Sequence, residues 1–436
     1  MTDERTPGEH RAADEAELLS DPEALTEQAM HMVGAPMSAA PLTHLPFEIE
    51  EYEARLERVR RAMDARGIEV MIATDPSNMA WLTGYDGWSF YTHQAVVITM
   101  DEPPRWWGRA MDARGAFRTV YMDRDSVIGY PDHLVQSDTD HPHTHLAEVL
   151  AALGRGRSAI GVEMDNYYYP AAAHLNLTAG LPGATFIDAT ALVNWQRAVK
   201  SERELGYMRR AARIVERMHE RIYELVEPGL RKSDLVAEVY KAGIAGIAGA
   251  DGYGGDYPAI VPLMPTGADA SAPHLTWDDR VFQEGAGTFF EIAGCYRRYH
   301  APLCRTIYLG EPPDEMRRAE AALIEGLEAG LDAARPGNHA GAVADALYAA
   351  LEKAGIEREG RCGYAVGMSY PPDWGERTIS FRSTDRTILE PGMTFHFMPG
   401  LWMDDWGLEI TESIVIRHDG PAECLANVPR ELFVKS

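Results

Sequence analysis

The sequence predicts a two-part molecule, a small α/β domain followed by an α+β domain whose antiparallel sheet is covered by helices. Three observations predict it. At 436 residues the chain is longer than one core usually serves. From residue 46 to about 195, amphipathic helical segments alternate with short apolar strands. From about residue 198 onward, long helices come first and strands then dominate.

Residues 1–45 are rich in Glu, Asp, Ala and Pro, and are expected to form a disordered acidic tail with one short helix around 15–30. The first domain, taken as 46–197, opens with "PFEIEEYEARLERVRRAMDARGIEVMIATD": an amphipathic helix, a stop at Gly67 and the strand "VMIAT". "QAVVITM" reads as a strand, "AEVLAALGRG" as a helix and "AIGVEM" as a strand. The second domain, taken as 198–436, begins with a long helix. Ser201 and Glu204 make a capping box. Leu205, Met208, Ala212, Val215, Met218 and Ile222 recur at helical spacing, and Pro228-Gly229 ends the pattern. A helix from Ser233 to about Ala248 leads into the Gly-rich "GADGYGGDYPAIVPLMP". The strands "GTFFEIAG", "RTIYLG", "MTFHFMPG" and "LEITESIVI" follow, with helices at about 314–335 and 339–354 between them.

Composition narrows the function. The net charge of −26 repels phosphates and argues against nucleic acid as a partner. No apolar run approaches membrane-spanning length, and the N-terminus lacks a signal peptide's basic and apolar regions. Four scattered cysteines form no CxxC pair, which fits a reducing compartment, so a cytoplasmic protein is expected. There is no GxSxG, no Walker loop and no HExxH.

The stretch "FFEIAGCYRRYHAPLCRT" draws attention to Glu291, a carboxylate among apolar residues. Such a group must be paired, neutralised or used. Its ordinary alternative is a structural ion pair with Arg297 or Arg305. His300 is either an acid/base group or a structural hydrogen-bonder, and Asp256 either orients a base or makes an Asx turn. If "LEITESIVI" is one strand, Glu409 and Glu412 point to opposite faces. Glu412 then shares a face with Leu408, Ile410, Ile414 and Ile416, which suggests a pocket. Glu409 is left as a solvated or interfacial charge, or a second acid/base candidate. Rings crowd three polar loops: "GYDGWSFYTH" with Trp88, Phe90, Tyr91 and His93, "SYPPDWGE" with Trp374, and "GLWMDDWGLE" with Trp402. Core packing is the ordinary role of any one ring. Together with carboxylates, rings make a cage for a compact organic cation.

The second domain resembles the pita-bread fold of the creatinase, aminopeptidase and prolidase family, through "RAVKSERELGYMRRAA", "RTIYLG", "GYAVGMSY", "LEPGMTFHFMPG" and "ITESIVI". Metal-dependent members hold two ions with Asp, Asp, His, Glu and Glu. Carried over one by one, those positions are Glu291, Pro302, Tyr364, Met398 and Glu412. Pro and Met supply no hard oxygen or imidazole, so no metal and no other cofactor is expected.

Longer runs carry a narrower resemblance, to the ectoine hydrolases. They include "TDPSNMAWLTGYDGWSFYTHQAVV", "GGDYPAIVPLMPTGADASAPHLTWDD" and "GMTFHFMPGLWMDDWGLEITESI". This resemblance implies hydrolytic opening of the cyclic amidine of ectoine to N-acetyl-2,4-diaminobutyrate, with Glu291 as nucleophile and His300, Glu409 or Glu412 as acid/base partner. For such a substrate, Arg305, Arg298 or backbone N–H groups are the expected holders of the carboxylate. The resemblance also implies a homodimer in which Trp88, Phe90, Tyr91 and His93 reach an active site, and a link to the deacetylase that acts on the product. Two alternatives stand beside it. One is a metal-dependent peptidase or sulfonium-compound lyase of the same fold, and the other a module that binds without catalysis.

Overall fold

A computed structural model describes residues 45–436, and the acidic segment expected to be a tail, with its short helix, lies outside them. The chain divides into two compact units that meet between Gln196 and Arg197.

The first unit is built on a six-stranded mixed sheet. Its strands are β1 (Val70–Ala73), β2 (Ala95–Thr99), β3 (Arg105–Arg109), β4 (Val127–Tyr130), β5 (Ala159–Val162) and β6 (Thr185–Asp188), in the order β4-β3-β2-β1-β5-β6. β1 pairs antiparallel with β2 and parallel with β5. The helices are α1 (Ile49–Asp64), α2 (Pro76–Thr83), α3 (Ala113–Thr119), α4 (Pro142–Ala152), α5 (Ala171–Gly180) and α6 (Leu192–Gln196). The expected opening helix is α1, which buries Tyr52, Leu56, Val59 and Met63 on one face. α2 begins where Asp75 Oδ1 accepts from Ser77 N at 2.7 Å with Pro76 in the first turn. It ends at Gly84, whose φ of +85° is in the left-handed region. Val70, Ile72, Val97, Trp107, Leu146, Leu150, Ile160 and Val162 pack into one core.

The second unit starts with α7 (Glu202–Leu225), and both halves of the Ser201/Glu204 capping box are formed. α8 (Lys232–Ala245) follows. α7 lies against a long antiparallel hairpin, β7 (Ala286–Tyr296) and β8 (Tyr299–Leu309). The approach is so close that a Cβ on Gly294 would sit 2.0 Å from Ala211 O, so only glycine fits there. β16 (Phe433–Lys435) adds to β8 in parallel.

A second sheet runs in the order β10-β9-β11-β14-β15. Its strands are β9 (Gly363–Val366), β10 (Gly375–Ser380), β11 (Thr394–Phe397), β14 (Glu412–Val415) and β15 (Glu423–Cys424). The helices α9 (Asp314–Ala333) and α10 (Ala340–Lys353) share a core with its Phe395, Phe397 and Ile414. A two-stranded ribbon, β12 (Gly400–Trp402) and β13 (Gly407–Glu409), lies beside β8, where Thr306 Oγ1 accepts from Glu409 N at 2.8 Å. Among the described residues, no helix is long and apolar enough to cross a membrane.

The structure corrects the reading of "LEITESIVI" as a single strand. It is broken at Ile410-Thr411, so Glu409 ends β13 and Glu412 begins β14. Ile410 N donates to Pro399 O and Thr411 N to Cys304 O, bonds that no straight strand would make. Alternation therefore does not carry through. Both carboxylates are buried, and Glu409 is not a solvated charge.

Candidate active site

The middle of β7 carries Glu291, opposite Cys304 of β8, with its backbone bridged to Leu263 on the other side. Its residue is only 5% exposed. Burial, and then the nearby Glu409 carboxylate, push the Glu291 carboxyl well above the usual range. Glu409 is itself raised to about 7, first by burial. Neither of its carboxylate oxygens meets a nitrogen or hydroxyl donor, and the polar groups that act on its pKa are the Cys304 thiol and Arg358. Two buried carboxyls this close cannot both be charged without a cation, so the pair holds a proton at neutral pH. Of the two, Glu291 is pushed up further and holds the shared proton in the empty site.

β11 adds a residue that the sequence reading missed. In "TFHF", Phe395 and Phe397 face the helix-covered core while Thr394 and His396 face the other way. That alternation was the available signal. His396 Nδ1 lies 3.9 Å from Glu291 Oε1 and 3.1 Å from the Tyr364 hydroxyl. Its Nε2 is 2.7 Å from Thr411 Oγ1. The Thr411 hydroxyl accepts from Cys304 N at 2.8 Å, and the tautomer with the ring proton on Nδ1 lets its one hydrogen go to Nε2, an assignment that gives every group in this hydrogen-bond chain a partner. Burial first, then Arg361, lowers His396 to about 3, which keeps the ring neutral. Tyr364 Oη also accepts from Trp374 Nε1 at 2.7 Å. Its hydroxyl proton is thus left to point toward an acceptor, and the pKa of Tyr364 is raised by burial and then by Glu291.

Several candidates are occupied elsewhere. His300 accepts from Ala259 N with Nε2 at 2.9 Å and donates to Arg298 O with Nδ1 at 2.9 Å. Both ring nitrogens are used and the ring is fully buried, so His300 clamps the hairpin and has no proton to exchange. Asp256 Oδ2 accepts from Arg298 N at 3.0 Å, at the hairpin turn where Arg297 and Arg298 hold φ of +51° and +65°. Arg298 is sandwiched between Tyr257 and Tyr370, at 3.6 and 4.8 Å from the ring centroids. Arg305 spends all five donors, on Pro429 O, Cys304 O, Thr411 O, Val428 O and Glu412 Oε1. It has none left for a substrate carboxylate. Glu412 Oε1 also takes Arg430 Nε at 3.0 Å, so Glu412 is one arm of a buried ion pair. An Arg305→Met variant is expected to lose about 3–5 kcal/mol of stability, because Glu412 is left as a buried charge with weaker pairing. Urea unfolding of the purified variant measures it.

Two donors near the carboxyls are unspent. Trp402 Nε1 and Arg358 Nη1 are both buried without a hydrogen-bond partner, and Arg358 lies 5.6 Å from the Trp402 ring centroid. Trp402 packs on Phe289 and Cys304. In the ring-rich loop of the first unit, Trp88 and Tyr91 are 61% and 63% exposed, while the His93 ring lies tilted to His141 and edge-on to His143.

The five positions at which related folds ligate two ions do not fit a metal pair here. Glu291 and Glu412 are carboxylates, but Glu412 is held by Arg305 and Arg430. Pro302 pairs with Ala293 and offers only a backbone carbonyl, already taken by Ser413 Oγ at 2.7 Å. Tyr364 is tied to Trp374 and His396, and Met398 has only a thioether.

Residues 206–418 match metallopeptidase family M24, and residues 55–199 match the creatinase/prolidase N-terminal domain. An ectoine hydrolase of Halomonas elongata is 60% identical over 395 residues, covering 90% of this chain and 99% of that protein. An uncharacterized hydrolase/peptidase, y4tM, of Sinorhizobium fredii is 43% identical over 90% of this chain and 99% of its own length. Among solved structures, dipeptidase PepE of Mycobacterium ulcerans superposes with a TM-score of 0.73 at 24% identity, covering 89% of this chain and 99% of that one. The prolidase of Thermococcus sibiricus does so with 0.76 at 17% identity, covering 88% and 99%.

Proposed function

The chain belongs to metallopeptidase family M24, in the group that contains the Halomonas elongata ectoine hydrolase, and from this premise we propose that it hydrolyses the cyclic amidine ring of ectoine. One observation carries the reading beyond similarity. Glu409 is buried beside Glu291 with no nitrogen or hydroxyl donor on its oxygens and the Cys304 thiol as a polar neighbour, where the metal-ligand positions of related folds do not fit a metal. Such a pair calls for a small cation that brings its own N–H donors, and an amidinium on a compact ring is one. The Trp402 indole N–H and Arg358 Nη1 supply unspent donors for the substrate carboxylate.

The mechanism follows from the proton held by the pair. Arrival of the amidinium favours the charged form of Glu291, and the shared proton passes to Glu409. The Glu291 carboxylate attacks the amidine carbon, and Glu409 protonates the departing ring nitrogen as the C–N bond breaks. Water then adds to the same carbon, its proton passes to the Glu409 carboxylate, the Glu291–carbon bond breaks to restore the Glu291 carboxylate, and N-acetyl-2,4-diaminobutyrate leaves. His396 and Tyr364, held in one tautomeric arrangement by Thr411 and Trp374, fix the orientation of Glu291. No step needs a metal.

The exposed Trp88 and Tyr91 support a homodimer in which this loop meets the partner's site. Four free cysteines support a cytoplasmic enzyme, and a deacetylase acting on the product is the expected next enzyme. Incubation with ectoine, followed by proton NMR with and without a chelator, tests the function. Ring opening at the same rate in both is expected. Loss of turnover with chelator would instead favour a metal-dependent peptidase or lyase, and absence of turnover with tight peptide binding a non-catalytic module.

A further inference from the structure

The first unit contains a second cluster of functional groups, remote in sequence from the carboxyl pair. His141 and His143 come from "HPHTH" at the start of α4, and His93 from the last residues before β2. One ring nitrogen of each lies within 4.8 Å of the others, and among the described residues no other group of three His, Cys, Asp or Glu comes this close. The ring centroids are 4.6 Å apart for His93 and His141, 5.0 Å for His93 and His143, and 5.3 Å for His141 and His143. His143 is the telling member. It is 0% exposed, and neither of its ring nitrogens has a hydrogen-bond partner. Buried imidazoles without a partner are costly, and a ligand that meets them removes the cost.

We propose that His93, His141 and His143 form a binding site for one late first-row divalent cation, Zn²⁺ being the type ion, with water or another ligand in the remaining position. An all-imidazole set with no carboxylate suits zinc, copper or nickel and does not suit magnesium or calcium. Tetrahedral coordination at about 2.0–2.1 Å needs ligand nitrogens roughly 3.3 Å apart, so the rings must close by only about 1.5 Å, within reach of side-chain rotation. His141 gives up the most, because its Nδ1 now accepts from His143 N at 3.2 Å. Binding through that nitrogen exchanges a long hydrogen bond for a coordinate bond. The start of α4 carries partial positive charge, which opposes the ion but acts on it less than three coordinate bonds do. His145, two residues on, is not part of the set, since its Nδ1 already accepts from Trp107 Nε1 at 3.1 Å. Burial lowers His93 to about 4 and lowers His141 and His143 as well. The rings are therefore neutral at pH 7, the form that ligates, and protons do not compete. A bound ion would pin the root of the ring-bearing loop, at His93, to the first turn of α4.

The test uses the full-length protein stripped of metal and titrated with Zn²⁺ by calorimetry and with Co²⁺ by visible absorption. One ion per chain is expected, with the strong d–d bands of a low-coordinate Co²⁺ site. His141→Gln, whose side chain is at the rim, should weaken binding at least about 100-fold, beyond what loss of an outer-shell partner costs. His274→Gln, exposed in the second unit, should leave it unchanged. Circular dichroism checks that His141→Gln is folded. Zn²⁺ should also raise the melting temperature of the parent protein and not that of His141→Gln. Absence of the bands, or equal affinity in folded His141→Gln, overturns the site. Neither readout depends on turnover, so failure here is distinct from failure of the ectoine reaction.

Discussion

Glu291→Gln is expected to reduce turnover of ectoine by about 10⁴-fold or more while the protein stays folded. Gln fills the same space and places no charge in the pocket. Because the wild-type carboxyl is driven toward its neutral form by burial and by Glu409, the substitution resembles the resting state and should not destabilise it. What it removes is the capacity to ionise when the amidinium arrives. If Glu291 is the nucleophile, no other group replaces it: His396 is neutral and tied to Thr411 and Tyr364, and the Cys304 thiol is pushed well above its ordinary value by burial and then by Glu409 and Glu291. Single-turnover assays followed by mass spectrometry provide the second readout. An adduct on the wild-type β7 peptide, absent from the variant, is expected. A variant that keeps substantial turnover would remove Glu291 from this role.

The residues that carry this chemistry differ in how far the sequence announces them. α7 is fully written locally, in its capping box, its apolar spacing and its Pro-Gly stop, because each signal acts within one or two turns. Glu291 stands out for a similar reason, as one carboxylate in a buried strand. His396 is legible too, since "TFHF" alternates strictly and its two Phe must face the core. It is overlooked only if the His is taken for a packing residue. Glu409 and Glu412 are different. Their relative facing depends on the break at Ile410-Thr411, which is made by bonds to Pro399 and Cys304, and no local pattern encodes it. Arg305 is the clearest case of long-range control. Its donors reach Val428 and Pro429, more than a hundred positions away, so a side chain that reads as a ligand clamp is a structural hub. The three-histidine cluster lies between these extremes. "HPHTH" is visible, but the third member of the cluster, His93, comes from a distant part of the chain and joins it only in the fold.

Glu409→Gln separates the two carboxyls by their pH dependence. In the wild type, Glu409 must be protonated to serve the leaving nitrogen, and its pKa lies at about 7. A rise in pH through that value ionises Glu409, so kcat should fall on the alkaline side. On the acid side, activity falls when Glu291 in the substrate complex can no longer ionise. Gln at 409 cannot deliver a proton, so kcat should drop by about 10²–10⁴-fold, as expected for loss of a general acid. The shape of the profile should change as well. The alkaline limb near pH 7 disappears, because its titrating group is gone. Loss of the Glu409 charge also removes the repulsion that raises Glu291, so the acid limb of kcat/KM should move to lower pH. The sign of that movement is diagnostic. If Glu409 served only to bind the substrate cation, its loss would raise KM with kcat little changed, and the alkaline limb would persist. A lower kcat with the alkaline limb lost and the acid limb displaced downward requires the two carboxyls to share one proton and divide the roles of nucleophile and acid between them.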